Sequence, residues 1–210
     1  MPYYNTMWRG LLSQFFDLLV PPRRSDLVVR ALSLEELQSL YTAEGLPYHD
    51  ESVRALVWEL KYYANPRAAQ LCGAFLAEEL LALAADELGR PLLVPVPMHP
   101  ARRRERGHNQ TEVLCEAILK ALGASNFTPV EYAPHALART RDTAQQQGLE
   151  RGARLQNVKG SMQAAPALVR GRVCVVVDDV ATTGATLAEA TRALKAAGAR
   201  RVHTVALARS

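Results

Sequence analysis

Val173-Cys174-Val175-Val176-Val177-Asp178-Asp179-Val180-Ala181-Thr182-Thr183-Gly184-Ala185-Thr186-Leu187 is the stretch on which the fold turns. Five apolar residues in a row, four of them valine, form the pattern of a strand buried on both faces of a parallel sheet. The acids Asp178 and Asp179 end that run, and residues 178–184 read as a turn. Good helix formers follow over 185–197, closed by Gly198, and residues 202–207 read as another apolar strand. Strand, helix, strand is a βαβ unit. The expected architecture is therefore α/β, an open parallel sheet flanked by helices. Such sheets bind ligands at the carboxyl ends of their strands, and this stretch delivers two adjacent carboxylates there.

The residues around those acids suit a phosphorylated sugar. Thr182, Thr183, Ala185 and Thr186 offer backbone N–H groups, and the threonines add hydroxyl donors. Gly184 lets backbone and ligand approach closely, and the start of the following helix adds partial positive charge. Asp178 and Asp179 suit ribose hydroxyls as acceptors, or a hard cation such as Mg²⁺. Phosphate, diol and metal together describe a phosphorylated ribose. The stretch is neither G-x-G-x-x-G nor G-x-x-x-x-G-K, so dinucleotide and P-loop readings have no support.

Upstream, residues 92–96 are a short apolar run expected to be a buried strand. A proline- and arginine-rich loop follows, then a helix over about 109–122 with Gly123 as its cap. One or two strands are expected within 126–138. Residues 139–157 are polar, glutamine-rich and basic, which marks a mobile loop. The first ninety residues read as helical. Ser33 with Glu36 forms a capping box, Asp50 caps a helix carrying Val53, Leu56, Val57 and Leu60, and Asn65-Pro66 opens another running to about Leu88. Residues 7–20 read as an amphipathic helix, since Gln14 and Asp17 interrupt their apolar run. The chain divides into a helical segment, 1–49, and a domain, 50–210.

The 210 residues carry 25 Lys and Arg against 21 Asp and Glu, a formal charge of +4. Residues 101–160 hold ten of the bases and six of the acids, which is the whole surplus. An anionic partner belongs near that third of the chain. No apolar run is expected to reach the ~20 residues of a membrane-spanning helix. Cys72, Cys115 and Cys174 lack C-x-x-C spacing, so they support neither disulfides nor a zinc site, and fit a reducing cytoplasm. Trp58, Tyr62 and Tyr63 flank Lys61; at helical spacing Trp58 and Tyr62 read as packing rather than as a nucleic-acid platform.

Residues 173–187 resemble the phosphoribosyl-pyrophosphate (PRPP) signature of type I phosphoribosyltransferases. Further matches point to the competence-associated ComF family within that superfamily. These are Val94-Pro95-Val96-Pro97-Met98-His99-Pro100; Arg102, Arg104 and Arg106-Gly107-His108-Asn109-Gln110; and Arg141-Asp142-Thr143, Gln146, Gly148-Leu149, Arg154 and Asn157-Val158. The resemblance implies that Asp178 and Asp179 hold ribose hydroxyls directly or through Mg²⁺, and that Thr182, Thr183, Gly184, Ala185 and Thr186 hold the 5′-phosphate. It places Arg102, Arg104, Arg106, Asn109 and Gln110 by the pyrophosphate, and Arg141, Thr143, Gln146, Arg154 and Asn157 in a hood that closes over the ligand. The implied ligand is PRPP or a nucleoside monophosphate. The implied chemistry is transfer of phosphoribose with release of pyrophosphate, or sensing of PRPP or a nucleotide; turnover stays open because no base-specificity element is recognisable. The alternative is a DNA-uptake accessory that handles single-stranded DNA without turnover. A homodimer is also open. Relatives usually begin with a zinc ribbon, but Pro21-Pro22-Arg23-Arg24 stands where its first cysteine pair is expected, so no zinc is expected here. At His108 the family usually has an aromatic residue, and His108 reads as a stacking or packing substitute. Leu60-Lys61-Tyr62 matches another element common in the family and leaves a ligand role for Lys61 open.

Overall fold

The apolar run forms the central strand of a parallel sheet. The computed structural model describes residues 22–42, 45–123, 128–142 and 158–210. Its strands are β1 (Leu46–Pro47), β2 (Leu92–Pro95), β3 (Glu131–Tyr132), β4 (Leu137–Arg139), β5 (Met162–Ala164), β6 (Val173–Ala181) and β7 (Arg201–Arg209). Five of them pair parallel in the order β1-β7-β6-β2-β3, while β4 and β5 form a separate antiparallel ribbon. Pro95 ends β2, and the next amide, Val96 N, donates to Val177 O at 2.9 Å, so the proline costs the ladder no donor where it is needed.

Strand alternation divides the core into two layers. Val175, Val177, Val205 and Leu207 face one side. That layer holds α1 (Ser25–Ala31), α2 (Leu34–Ser39), α3 (Glu51–Tyr63), α4 (Pro66–Ala85) and α6 (Gln110–Gly123). Cys174, Val176 and Ala206 face the other side. There they meet the ribbon, the short α7 (Pro166–Val169) and α8 (Ala185–Ala196). The helices begin where the sequence caps them. Ser33 and Glu36 bond reciprocally at the start of α2, Asp50 Oδ1 accepts from Ser52 N and Val53 N, and Asn65 precedes Pro66 at the first turn of α4. Gly73 lets α4 approach α6 closely: a Cβ there would lie 2.6 Å from the Ala117 carbonyl carbon.

Five expectations change. Helix α4 is 20 residues long and includes an 18-residue stretch of mean hydropathy 1.4, enough by length and composition to cross a membrane, although half of that stretch is buried within the protein, which is what a core helix shows. The arginine-rich segment is a helix, α5 (Pro100–Arg106), with proline at its first position and His99 Nδ1 accepting from Ala101 N. No residue of it is buried, so it carries no apolar periodicity to read. Gly123 lies inside α6 rather than beyond it, and α4 ends at Ala85, before Leu88. Strand β6 continues through both acids to Ala181, which reduces the turn to 182–184.

Candidate functional site

Strands β2 and β6 are neighbours, and their connections leave in opposite directions along the sheet. From β2 the chain passes through α5 and α6 to β3, on one side. From β6 it passes through α8 to β7, on the other. This switch point opens a crevice at the carboxyl ends of the two strands. Asp178 and Asp179 lie within β6 at that edge, 6% and 5% exposed. Consecutive residues of a strand point to opposite faces, so the two carboxylates start toward different layers. Asp179 follows Val175 and Val177 toward the α3 layer, where Lys61 Nζ lies 3.5 Å from its Oδ2. Asp178 follows Val176 toward the α8 layer and accepts from Asp179 N at 3.0 Å.

This environment separates the two acids. Burial, reinforced by the neighbouring Asp179 carboxylate, pushes Asp178 well above the ordinary carboxylate range. Asp179 is buried as well, yet the Lys61 ammonium and the hydrogen bond from Asp178 hold it below that range. The arrangement therefore favours the proton on Asp178 and the negative charge on Asp179, opposite Lys61. Arg139 of β4 is half-buried, which lowers its pKa against the pull of Asp178; Arg102 and Asp142 act on it too.

Beyond Ala181 the chain turns through Thr182, Thr183 and Gly184. Gly184 has φ +71°, and a Cβ placed there would touch nothing within 4 Å. It stands at the N-cap of α8 without a side-chain capping bond. Ala185 N donates a long hydrogen bond to Thr183 Oγ1 at 3.4 Å, and the first-turn amides of Thr186 and Leu187 point out of the helix start. That is an open cradle for an anion.

The arginines of α5 divide by use. Arg102 Nε pairs with Asp142 at 3.5 Å. Arg104 is exposed. Arg106 stacks 5.2 Å over the Tyr62 ring and donates to Gln110 Oε1 at 3.1 Å. Asn109 is 2% exposed and turned inward: its Nδ2 donates to Val96 O at 3.2 Å, and its Oδ1 accepts from Thr111 N and Oγ1. It braces the β2 loop rather than reaching for a ligand. His108 Nε2 contacts Leu60 O at 3.1 Å, a packing role. Trp58 and Tyr62 stack at 4.2 Å, also as packing. Arg141 Nη2 donates to Lys159 O at 2.8 Å. Thr143, Gln146, Arg154 and Asn157 lie outside the described residues, as does the helix expected over 7–20.

Lys61 is the residue whose weight the sequence understated. Its signal was a lysine in the last turn of an otherwise apolar helical face, but its partner is remote in sequence. The acids also fit a divalent cation in part. Asp179 Oδ2 is buried and accepts no hydrogen bond among the described residues. No cluster of three His, Cys, Asp or Glu stands ready to hold a metal among those residues. A hard cation here would need ligand oxygens and water to complete its shell. A separate groove of about 310 Å³, lined by Leu92, Tyr132, His135, Leu168 and Arg172 among others, opens at the amino ends of β2 and β6, away from the acids.

Comparison with known proteins returns one family for most of the chain. The phosphoribosyl transferase domain model matches residues 61–210. The DNA utilization protein YhgH of Escherichia coli K12 is 34% identical over 157 residues, covering 74% of this chain and 66% of that protein. Competence protein F of Haemophilus influenzae is 31% identical over 120 residues, 56% of this chain and 50% of that protein. The chain thus spans slightly less than two thirds of the length of the first of these relatives. The solved glutamine PRPP amidotransferase of B. subtilis superposes with a TM-score of 0.43 at 18% identity, covering 72% of this chain and 30% of that one.

Proposed function

The chain belongs to the phosphoribosyl transferase domain family, in its ComF-type branch, and from that premise we propose that it binds PRPP or a nucleoside monophosphate and transfers phosphoribose to an acceptor with release of pyrophosphate. The observation that supports this most is the joining of two buried, adjacent acids and an uncapped helix start by one short turn at the switch point of the sheet. The amides at the start of α8, with the hydroxyls of Thr182, Thr183 and Thr186, take the 5′-phosphate. Asp179, held toward its charged form by Lys61, accepts from a ribose hydroxyl, and Asp178, which keeps its proton more tightly, faces a ribose oxygen or its neighbour. Arg102 and Arg104, on α5 across the crevice, compensate charge on the leaving pyrophosphate. Mg²⁺, when bound, would offset the same charge as a Lewis acid. The free cysteines Cys72, Cys115 and Cys174 are all buried, which supports a cytoplasmic setting.

Calorimetry with PRPP and Mg²⁺ tests the binding. The wild type should bind, and the Asp178→Asn, Asp179→Asn double variant should fold and lose PRPP; unchanged affinity in that variant overturns the assignment. Pyrophosphate release in the presence of a panel of bases and amines then tests turnover.

A second reading, single-stranded DNA as an additional partner, draws on Tyr63, 67% exposed beside the Tyr62–Arg106 stack, and on the names of the relatives. Titration of labelled single-stranded DNA at two salt concentrations should show salt-dependent affinity. No binding, or binding indifferent to salt, removes it.

A further inference from the structure

Lys61 reaches the acids from the last turn of α3, with its side chain only 18% exposed. Its distance of 3.5 Å from Asp179 Oδ2 is that of an ion pair. The same oxygen is sealed from solvent and accepts no hydrogen bond among the described residues. A buried carboxylate oxygen in that condition is half satisfied, and a closer ligand has something to gain there. A divalent cation such as Mg²⁺ asks for oxygens at about 2.0–2.1 Å in an octahedral set. It would have to share Asp179 with an ammonium already facing it. The protein offers no further cluster of acids to outweigh that repulsion among the described residues.

We infer that Lys61 is the resident cation of the acid pair, holding Asp179 in the ligand-free protein so that a divalent metal enters only with a ligand that carries a diphosphate. A diphosphate supplies the oxygens the protein lacks and the negative charge that lets two cations share the crevice. The flexible lysine stem can turn from Asp179 toward a phosphate oxygen without moving α3. Asp179 thus need not lie charged and unpaired between ligands, and the empty site does not load with free metal. The inference rests on the PRPP reading of the site but is tested apart from it.

Mn²⁺ is the probe, and its free concentration is read by electron paramagnetic resonance. The proteins are the wild type, Lys61→Met, Lys61→Arg and the double variant Lys61→Met, Asp179→Asn. Without ligand, wild type and Lys61→Arg should take up Mn²⁺ at least about tenfold more weakly than Lys61→Met. The added Asp179→Asn change should abolish the gain, and PRPP should restore Mn²⁺ uptake to the wild type. Lys61→Gln replaces the methionine variant if thermal melting shows that one unfolded. Equal Mn²⁺ affinity in wild type and the uncharged variant, or a gain that survives Asp179→Asn, overturns the inference. A gain in Lys61→Met with no PRPP binding by the wild type refutes the PRPP reading and leaves the resident-cation role standing. PRPP binding without any gain does the reverse.

Discussion

Replacing each acid by its amide, one at a time, should move stability in opposite directions. In Asp179→Asn the Lys61 ammonium keeps its place but loses its counter-charge. Breaking a buried pair by removing one partner costs about 3–5 kcal/mol, and the 18% exposure of Lys61 puts this case near the lower end, about 3 kcal/mol. For a chain of this size that is a fall of about 6–12 °C in Tm. Asp178→Asn replaces the acid that folding drives toward its neutral form by a neutral group of the same shape. The amide oxygen still accepts from Asp179 N, and the NH₂ still donates. The sign follows from linkage. Asp178 has its pKa raised on folding by burial and by Asp179. Its contribution is fully present below the unfolded carboxylate value, near pH 4, and is lost as pH rises toward the folded value. Over that window folding takes up a proton, and the wild-type folding constant falls by about tenfold per pH unit. Asparagine escapes this loss. The Asp178→Asn protein should therefore match or exceed wild-type stability at pH 7, with an advantage that opens as pH rises from about 4. Asp179 has its pKa lowered by Lys61, so its contribution is present above pH 4 and the Asp179→Asn deficit should shrink on acidification. Urea unfolding from pH 4 to 8 measures both. Equal destabilisation by the two amides, or an Asp178→Asn effect that ignores pH, refutes this division of charge.

Three other outcomes test separate parts of the molecule. Gly73→Ala would set a methyl against the Ala117 backbone at 2.6–2.7 Å and should cost about 1–3 kcal/mol in urea unfolding; a neutral change means α4 and α6 are not so close. Gly184→Ala places an L-residue at φ +71° for about 1–2 kcal/mol, and its methyl enters space that only a ligand would use. PRPP affinity by calorimetry should therefore fall by more than stability does, and undiminished affinity moves the phosphate elsewhere. Burial pushes the Cys72 thiol up to about 12 and Cys174 to about 11, and raises Cys115 as well. All three should ignore Ellman's reagent in the native protein and react on unfolding; a thiol titrating rapidly in the native state counters the packing described for its layer.

The parts of the fold that the sequence announced are those whose cause is local. The valine run, the capping box at Ser33, the Asp50 cap and the Asn65-Pro66 start each depend on residues within a turn or a strand of one another, and each appears where it was read. The apolar pattern ends at Val177, short of the end of β6, because Asp178 and Asp179 interrupt it. What keeps them in the strand is pairing with β7, Asp178 opposite Ala206 and Ala181 opposite Arg209, which composition does not reveal. The arginine segment gave no helical signal because no face of α5 is buried. Asn109 looked like a ligand group because its motif position said so; its inward bonds to Val96 O and Thr111 depend on how β2 and α6 meet. Lys61 needed the third dimension altogether, since nothing along the chain connects it to Asp179.

Because Asp178 and Asp179 are neighbours in one strand, each listens to a different half of the molecule. Asp179 answers to the layer of α3, α4 and α6, and Asp178 to the layer of α8 and the ribbon. The carboxyl carbons, labelled with ¹³C, would then form a two-channel gauge of the interior. A disturbance such as Gly73→Ala should displace the Asp179 resonance first, whereas loosening the Glu189 carboxylate that holds Met162 N at 3.3 Å should displace that of Asp178. A single pair of signals would report which side of the sheet has given way.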